Sequence, residues 1–260
     1  MTTPERAQRF VDLHRGDDLF VMANPTNVGT AMRLEQLGYR ALGTSSAALA
    51  RSLGRRDGCR AVGRDEAIAH AVDILNATQV PISGDFENGY GDEPDEVAET
   101  VRSSIAAGLA GCCIEDATGL DEPRIYDAGL AAERIAAGAE ACAGAPFVLV
   151  ARAENHLHGR DDLADTIARL QSFADAGATA VYAPGLVRLD DIRAVVDAVG
   201  VPVNVLVGLP GQRFGLEDLA EVGVRRVSVG SGFEKVANSA LERAAAALLE
   251  GRPFADVFRV

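Results

Sequence analysis

Eight times along this 260-residue chain, a short run rich in β-branched and apolar residues is followed by a longer stretch with helical spacing. The runs are 19–23, 40–43, 80–85, 111–115, 147–152, 180–183, 202–207 and 226–230. The helical stretches are 27–37, 64–77, 94–107, 128–143, 161–176, 189–198, 215–222 and 233–249. Strands separated by helices must run parallel, because a parallel neighbour needs a crossover. The runs are apolar on both faces, as suits a sheet covered by helices. A doubly wound open sheet and a closed (β/α)8 barrel both satisfy these constraints. Eight units in about 250 residues favour the barrel. No linker, low-complexity tract or break in composition interrupts the series. The expectation is one α/β barrel domain over 1–260, preceded at 3–15 by a short helical segment.

Hydrophobic residues make up 48% of the chain, enough to bury a sizeable core. The formal net charge of −13 argues against nucleic acid and anionic membranes as partners. It leaves open an anionic small-molecule substrate, since a bound cation reverses the local field. The apolar runs are strand-sized, so no membrane span is expected. The segment MTTPERAQRFVDLHRGDD is charged throughout and does not read as a signal peptide. Cys59, Cys112, Cys113 and Cys142 lack zinc-type spacing and read as reduced packing thiols of a cytoplasmic protein.

In such barrels the chemistry sits at the C-terminal ends of the strands. Polar groups gather there: Asn24 after the first strand, Thr44, Ser45 and Ser46 after the second, Asp85 and Glu87 after the third. Glu115 and Asp116 end the fourth, Arg152 and Glu154 the fifth, and Asn204 lies on the seventh. Three carboxylates, Asp85, Glu87 and Glu115, converging on one mouth repel unless a cation sits among them. Oxygen ligands without His or Cys favour Mg²⁺ or Mn²⁺ over Zn²⁺. The bland alternative is solvated loop acids or helix caps. Arg152 ends an apolar strand and needs a partner, either Glu115 or Asp116 or a substrate carboxylate. Ser45-Ser46-Ala47 offers N–H and hydroxyl donors to an anion. His156 and His158 read as a surface loop or gate, and His14 and His70 as helix-surface or packing residues. Gly230-Ser231-Gly232 is too short to specify a phosphate cradle.

The succession NPTNVGTAMRLEQLGYRALGTSSAALA, RRDG, SGDFENGYGD, GCCIEDA and VARAENH resembles the isocitrate lyase/phosphoenolpyruvate mutase superfamily, from about residue 18 to about residue 240. The resemblance implies an α/β barrel with a Mg²⁺-dependent site for pyruvate-like or glyoxylate-like groups. It implies that Ser45, Ser46 and Ala47 hold the oxo-acid carboxylate and carbonyl; Asn204, from its place on the seventh strand, is read as a further substrate contact. It makes Asp85 the direct metal ligand, with Asp57, Glu87 and Glu115 holding metal-bound waters. Arg152, Glu115 and Asp57 become the candidate catalytic residues. The family's second acid after strand 3 is usually Asp; here it is Glu87, one methylene longer.

Two departures shape the expected chemistry. The lyase branch carries a Cys- and His-bearing loop after strand 4, whose Cys protonates the leaving product. Here the stretch reads TGLDEPRIYDAG, with neither. The mutase branch has a Lys- and Asn-bearing loop there and a His after strand 6. Here the loop lacks both, and strand 6 ends in Pro184-Gly185. The expectation is a metal-dependent lyase of a small 2-oxo or 2-hydroxy carboxylate, working through a metal-stabilised enolate. Decarboxylation is favoured, because CO₂ leaves without needing a proton. Cleavages that need one would draw it from Tyr126 or from metal-bound water. The alternatives are a phosphonopyruvate- or carboxyphosphonoenolpyruvate-type mutase, a non-catalytic oxo-acid-binding homologue, and an unrelated metal-dependent barrel aldolase. A Schiff-base aldolase is disfavoured, since the one lysine, Lys235, lies in the last helical stretch. A homo-oligomer, dimer or tetramer, is expected from Ala-rich helix faces.

Overall fold

The computed structural model describes residues 2–58, 60–121 and 124–258. Helix α1 (Thr3–Arg15) precedes strand β1 (Phe20–Met22), α2 (Val28–Gln36) and β2 (Leu42–Gly43). Two helices follow, α3 (Ser46–Ser52) and α4 (Arg64–Ala77), then β3 (Ile82–Asp85), α5 (Pro94–Ala106) and β4 (Gly111–Glu115). After α6 (Ala128–Ala141) come β5 (Val148–Arg152), a 3-10 turn at Asn155–His158 and α7 (Leu163–Asp175). The chain continues through β6 (Ala180–Tyr182), α8 (Leu189–Ala198), β7 (Val203–Leu206), α9 (Leu216–Glu221) and β8 (Arg226–Ser228). It ends in α10 (Gly232–Leu249) and α11 (Phe254–Val257).

All eight strands are parallel, in the order β1-β8-β7-β6-β5-β4-β3-β2. A parallel bridge between Ala23 and Leu42 joins the two ends of that series, so the sheet closes as a (β/α)8 barrel. Every expected strand run forms a strand, and every expected helical stretch forms a helix. Two helices were not expected. Helix α3 has seven residues, too few for a periodicity to register; the Ser45 hydroxyl caps it by accepting the Ala48 N–H. Helix α11 is shorter still. Among the described residues no helix is long and apolar enough to cross a membrane.

Two apolar clusters hold the barrel. One lies between strands and outer helices and includes Ile74, Ile82, Phe86, Leu149, Phe173 and Val227. The other fills the barrel itself and is plugged from below by α1, through Ala7 and Phe10, against Phe20, Met22, Val148 and Val150. Each such large side chain contributes about 1.5–3 kcal/mol by leaving water. His14 belongs to this plug, 4% exposed and edge-on to Phe10 and Phe20. Cys112, Cys113 and Cys142 are buried free thiols. Cys59 lies outside the described residues.

The strand registers set the site. Glu115 stands level with Arg152, and Arg152 with Tyr182. Asn204 stands level with Arg226, lower in the barrel.

Candidate functional site

Asp85 is the last residue of β3, and its N–H donates to the Thr44 hydroxyl at 2.8 Å. Its Oδ2 accepts from both the N–H and the hydroxyl of Ser46, at 2.9 and 3.0 Å. The donors expected to hold an anion thus already hold one, supplied by the protein. Of the other two residues in that loop, Ser45 caps α3 and Ala47 lies in its first turn, half-buried.

Arg152 is the centre of the charge network. It pairs with Glu154 through Nε, and lies 3.5 Å from Asp85 Oδ1 and 3.5 Å from Glu115 Oε2. Its guanidinium lies over the Tyr182 ring, 5.1 Å from the centroid. The neighbouring acids hold the guanidinium charged, although burial alone would oppose this. Asp116, one of the two acids expected to pair with Arg152, does not. It follows the last residue of β4, faces outward and pairs instead with Arg169 at 3.2 Å, because successive residues along an extended chain face opposite sides. Glu154 takes the place that Asp116 was expected to fill, and its signal was visible in ARAEN as an acid two residues past Arg152.

Glu87 reaches the same cavity by a different route from strand alternation. It lies past the end of β3 with φ +45°, and Tyr90 follows with φ +63°. Non-glycine residues in this region are strained and persist where surrounding structure imposes them. Here the clamp is Arg134, fully buried, whose guanidinium donates to the carbonyls of Asn88, Gly91 and Asp92. Gly84 is required beneath: a Cβ there would stand 2.2 Å from the Phe86 ring. Burial raises Glu87 to about 7, and Asp85 and Asp57 push it the same way. Burial also raises Asp57 and Glu115 above the usual carboxylate range.

A cavity of about 230 Å³ opens at the top of the barrel, while Asp85 lines a smaller well beneath it. Ser46, Asp57, Glu87, Glu115, Arg152 and Glu154 form the cavity's polar wall, and Leu120, Leu157 and His158 its rim. The size suits a small acid. His158 was read as a loop or gate residue, and it stands at the mouth. A larger hollow of about 920 Å³ lies at the opposite end, against α1 and the strand starts. It gathers no cluster of acids, and in these barrels that face serves stability.

Other expected groups are placed elsewhere. Asn204 faces a small inner well and is held by Arg226 and Ser228. Tyr126 does not line the upper cavity; its hydroxyl donates to Asp92 at 2.5 Å and accepts from Asn88 at 2.9 Å. It is therefore no proton source for a ligand there. The N–H groups of Val229 and Gly230 are taken by Asn24, so the glycines after β8 form no cradle.

The acids suit a hard cation, and the structure refines how. Among the described residues no three His, Cys, Asp or Glu side chains stand close enough to share one ion. The three-carboxylate ligand set of Asp85, Glu87 and Glu115 is thus not preassembled. An oxygen-only rim offering one carboxylate, with others at a distance, fits Mg²⁺, which keeps several of its waters.

A pH dependence follows from Glu87. Its folded value near 7 lies above its ordinary one, so the folded chain binds more protons than the unfolded chain between the two. Stability without metal should therefore fall as pH rises through 7, and level off about one unit above it. His14, pushed by burial down to about 3, acts oppositely below its ordinary value near 6.5. The fall is therefore readable between about pH 6.5 and 8. Melting temperatures in EDTA should decline across that window, and saturating Mg²⁺ should flatten or reverse the slope. A rise in EDTA would contradict this placement of Glu87.

The family model described as phosphoenolpyruvate phosphomutase matches residues 10–249. A crystal structure of a Burkholderia cenocepacia J2315 protein, provisionally named a lyase/mutase, superposes with a TM-score of 0.93 at 45% identity, covering 97% of this chain and 91% of that one. Oxaloacetate decarboxylase of Paraburkholderia xenovorans LB400 is 30% identical over 236 residues, 87% of this chain and 75% of that protein. 2-Methylisocitrate lyase of Escherichia coli K12 is 30% identical over 185 residues, 68% of this chain and 61% of that protein.

Proposed function

The chain belongs to the isocitrate lyase/phosphoenolpyruvate mutase superfamily, and we propose that it is a Mg²⁺-dependent lyase, Mn²⁺ substituting, that cleaves a C–C bond of a small 2-oxo or 2-hydroxy carboxylate. An oxaloacetate-like acid losing CO₂ is the favoured substrate. The observation that carries this reading is the pairing of Arg152 with the acid rim, in a cavity whose neighbouring loop holds no acidic Cys or His. The resemblance of the chain to an oxaloacetate decarboxylase supports it.

Asp85 would ligate the cation, and Asp57, Glu87 and Glu115 would hold its waters. When bound, the cation neutralises charge on an oxo acid's carbonyl oxygen as the bond breaks. Arg152 aims a fixed donor at the same oxygen and holds the substrate's planar carboxyl or enolate edge. Glu154 fixes the Arg152 rotamer through its ion pair. The Ser46 N–H and hydroxyl add donors once shared with a ligand. Leu120 and Leu157 stand exposed at the rim, where they would shield a bound acid from water. The preformed donors act best where water is excluded.

The substrates also decide between this reading and its rivals. Steady-state kcat/KM should favour oxaloacetate-like acids over isocitrate- or methylisocitrate-like acids under the same Mg²⁺. A positioned acid contributes about 10²–10⁴-fold, and the loop TGLDEPRIYDAG has neither the Cys nor the His that would serve as one. Methylisocitrate cleavage above about 10⁴ M⁻¹s⁻¹ would overturn the mechanism. Turnover of phosphonopyruvate would favour the mutase reading, and Mg²⁺ binding without turnover of any acid a non-catalytic binder. We also propose a homo-oligomer, dimer or tetramer, to be read by sedimentation equilibrium. Its support is the apolar surface of α10 and α11, where Val236, Leu241, Leu249 and Phe254 are all more than 65% exposed.

A further inference from the structure

Below the site, the barrel holds a guanidinium with no counter-charge among the described residues. Arg226 opens β8, points inward and is 2% exposed. Its Nε donates to Asn204 Oδ1 at 2.9 Å, and its Nη1 lies 3.3 Å from His14 Nε2. His14 Nδ1 meets the Phe10 carbonyl at 2.8 Å, so Nδ1 bears the proton and Nε2 accepts from Arg226. Both partners are therefore neutral acceptors. Among the described residues no carboxylate lies within ion-pair distance of Arg226. Asp85, the acid at the top of the well, is already engaged by Ser46 and Arg152. A buried unpaired charge is expensive, and buried charges are ordinarily paired.

Above Arg226 is a well of about 50 Å³, enough for a small ion or a few waters. Its wall is rich in donors. The Ser228 hydroxyl accepts from Asn204 Nδ2 at 2.9 Å, which leaves its own proton for the well. Ser83, 2% exposed, also lines it, and its hydroxyl donates to no protein acceptor among the described residues. The acceptors facing in are largely spent: Asn204 Oδ1 on Arg226, and Asn24 Oδ1 on two backbone N–H groups. The volume is less than a quarter of the upper cavity's, too small for a dicarboxylate.

We infer that this well is a binding site for a monovalent inorganic anion of the chloride class, held by Arg226 with the hydroxyls of Ser228 and Ser83. The ion neutralises the guanidinium and fastens β8 to β7 and α1 through Asn204 and His14. The well lies beneath the substrate cavity and shares Arg152 with its wall, but anion binding there does not depend on the reaction proposed above.

The test compares anions at constant ionic strength. Chloride or bromide, replacing gluconate, should raise the melting temperature saturably, by about 5 °C at high occupancy. Saturation separates a site from general salt effects, which grow steadily with concentration. Arg226→Met should remove the dependence. Should that variant not fold, crystals of the parent protein soaked in bromide decide: an anomalous peak within hydrogen-bond distance of Arg226 is expected. A peak without saturable stabilisation would mark an adventitious ion only and overturn the inference. So would water in the well, with melting temperatures that ignore the anion.

Discussion

Replacing Arg152 with methionine is expected to cost about 3–5 kcal/mol of stability near pH 8 and to lower kcat/KM by about 10²–10³-fold. The stability loss comes from what is left behind. Glu154, Glu115 and Asp85 all face Arg152, whose side chain is 15% exposed, and each would lose its counter-charge at once. Breaking a buried pair from one side costs more than the pair contributes, because the remaining charge stays desolvated. The cost should shrink near pH 5.5, where stranded carboxyls can take up protons. The kinetic loss comes from removing a preformed donor at the oxygen where charge develops. Arg152→Lys should recover much of the stability and little of the activity, since an ammonium is a single point charge without the planar fork. Urea unfolding at both pH values, with kcat/KM for each variant, measures this. A methionine variant as stable as the parent at pH 8, or a lysine variant as active, would refute the role given to Arg152.

Asp85→Ala should abolish measurable Mg²⁺ binding and reduce turnover by about 10³-fold or more, the scale of losing an essential electrostatic element. Asp57, Glu87 and Glu115 supply charge to the cavity, but no three acids are placed to share an ion. Without Asp85 the cation therefore loses its one direct ligand. The fold should survive, and the metal-free variant should lose part of its decline between about pH 6.5 and 8. Asp85 is one of the charges holding Glu87 up, so removing it lets Glu87 ionise more readily. Titration calorimetry reads the first effect and melting curves in EDTA the second. Mg²⁺ binding as tight as in the parent would show that the ion sits elsewhere.

The amino-acid sequence by itself determined the barrel. Eight alternations of apolar run and helical spacing leave few ways to bury both faces of every strand, and the chain takes the closed one. It also placed the polar residues at the strand ends, since strand direction is implied once the connections are known to be crossovers. Tertiary structure decided which of those residues meet. Asp116 and Glu115 are neighbours in sequence, yet pleating sends one to Arg169 and the other toward Arg152. Glu87 enters the cavity because a buried arginine from α6 clamps a strained loop, and no local spacing encodes that. Tyr126 is removed from the candidate acids by Asp92 and Asn88, each more than 30 residues away along the chain. That Arg226 meets only neutral acceptors was likewise invisible in RRVSVG. A charge in a strand reads as ordinary until the closed barrel shows what faces it, because burial and pairing belong to the assembled core and to no local segment.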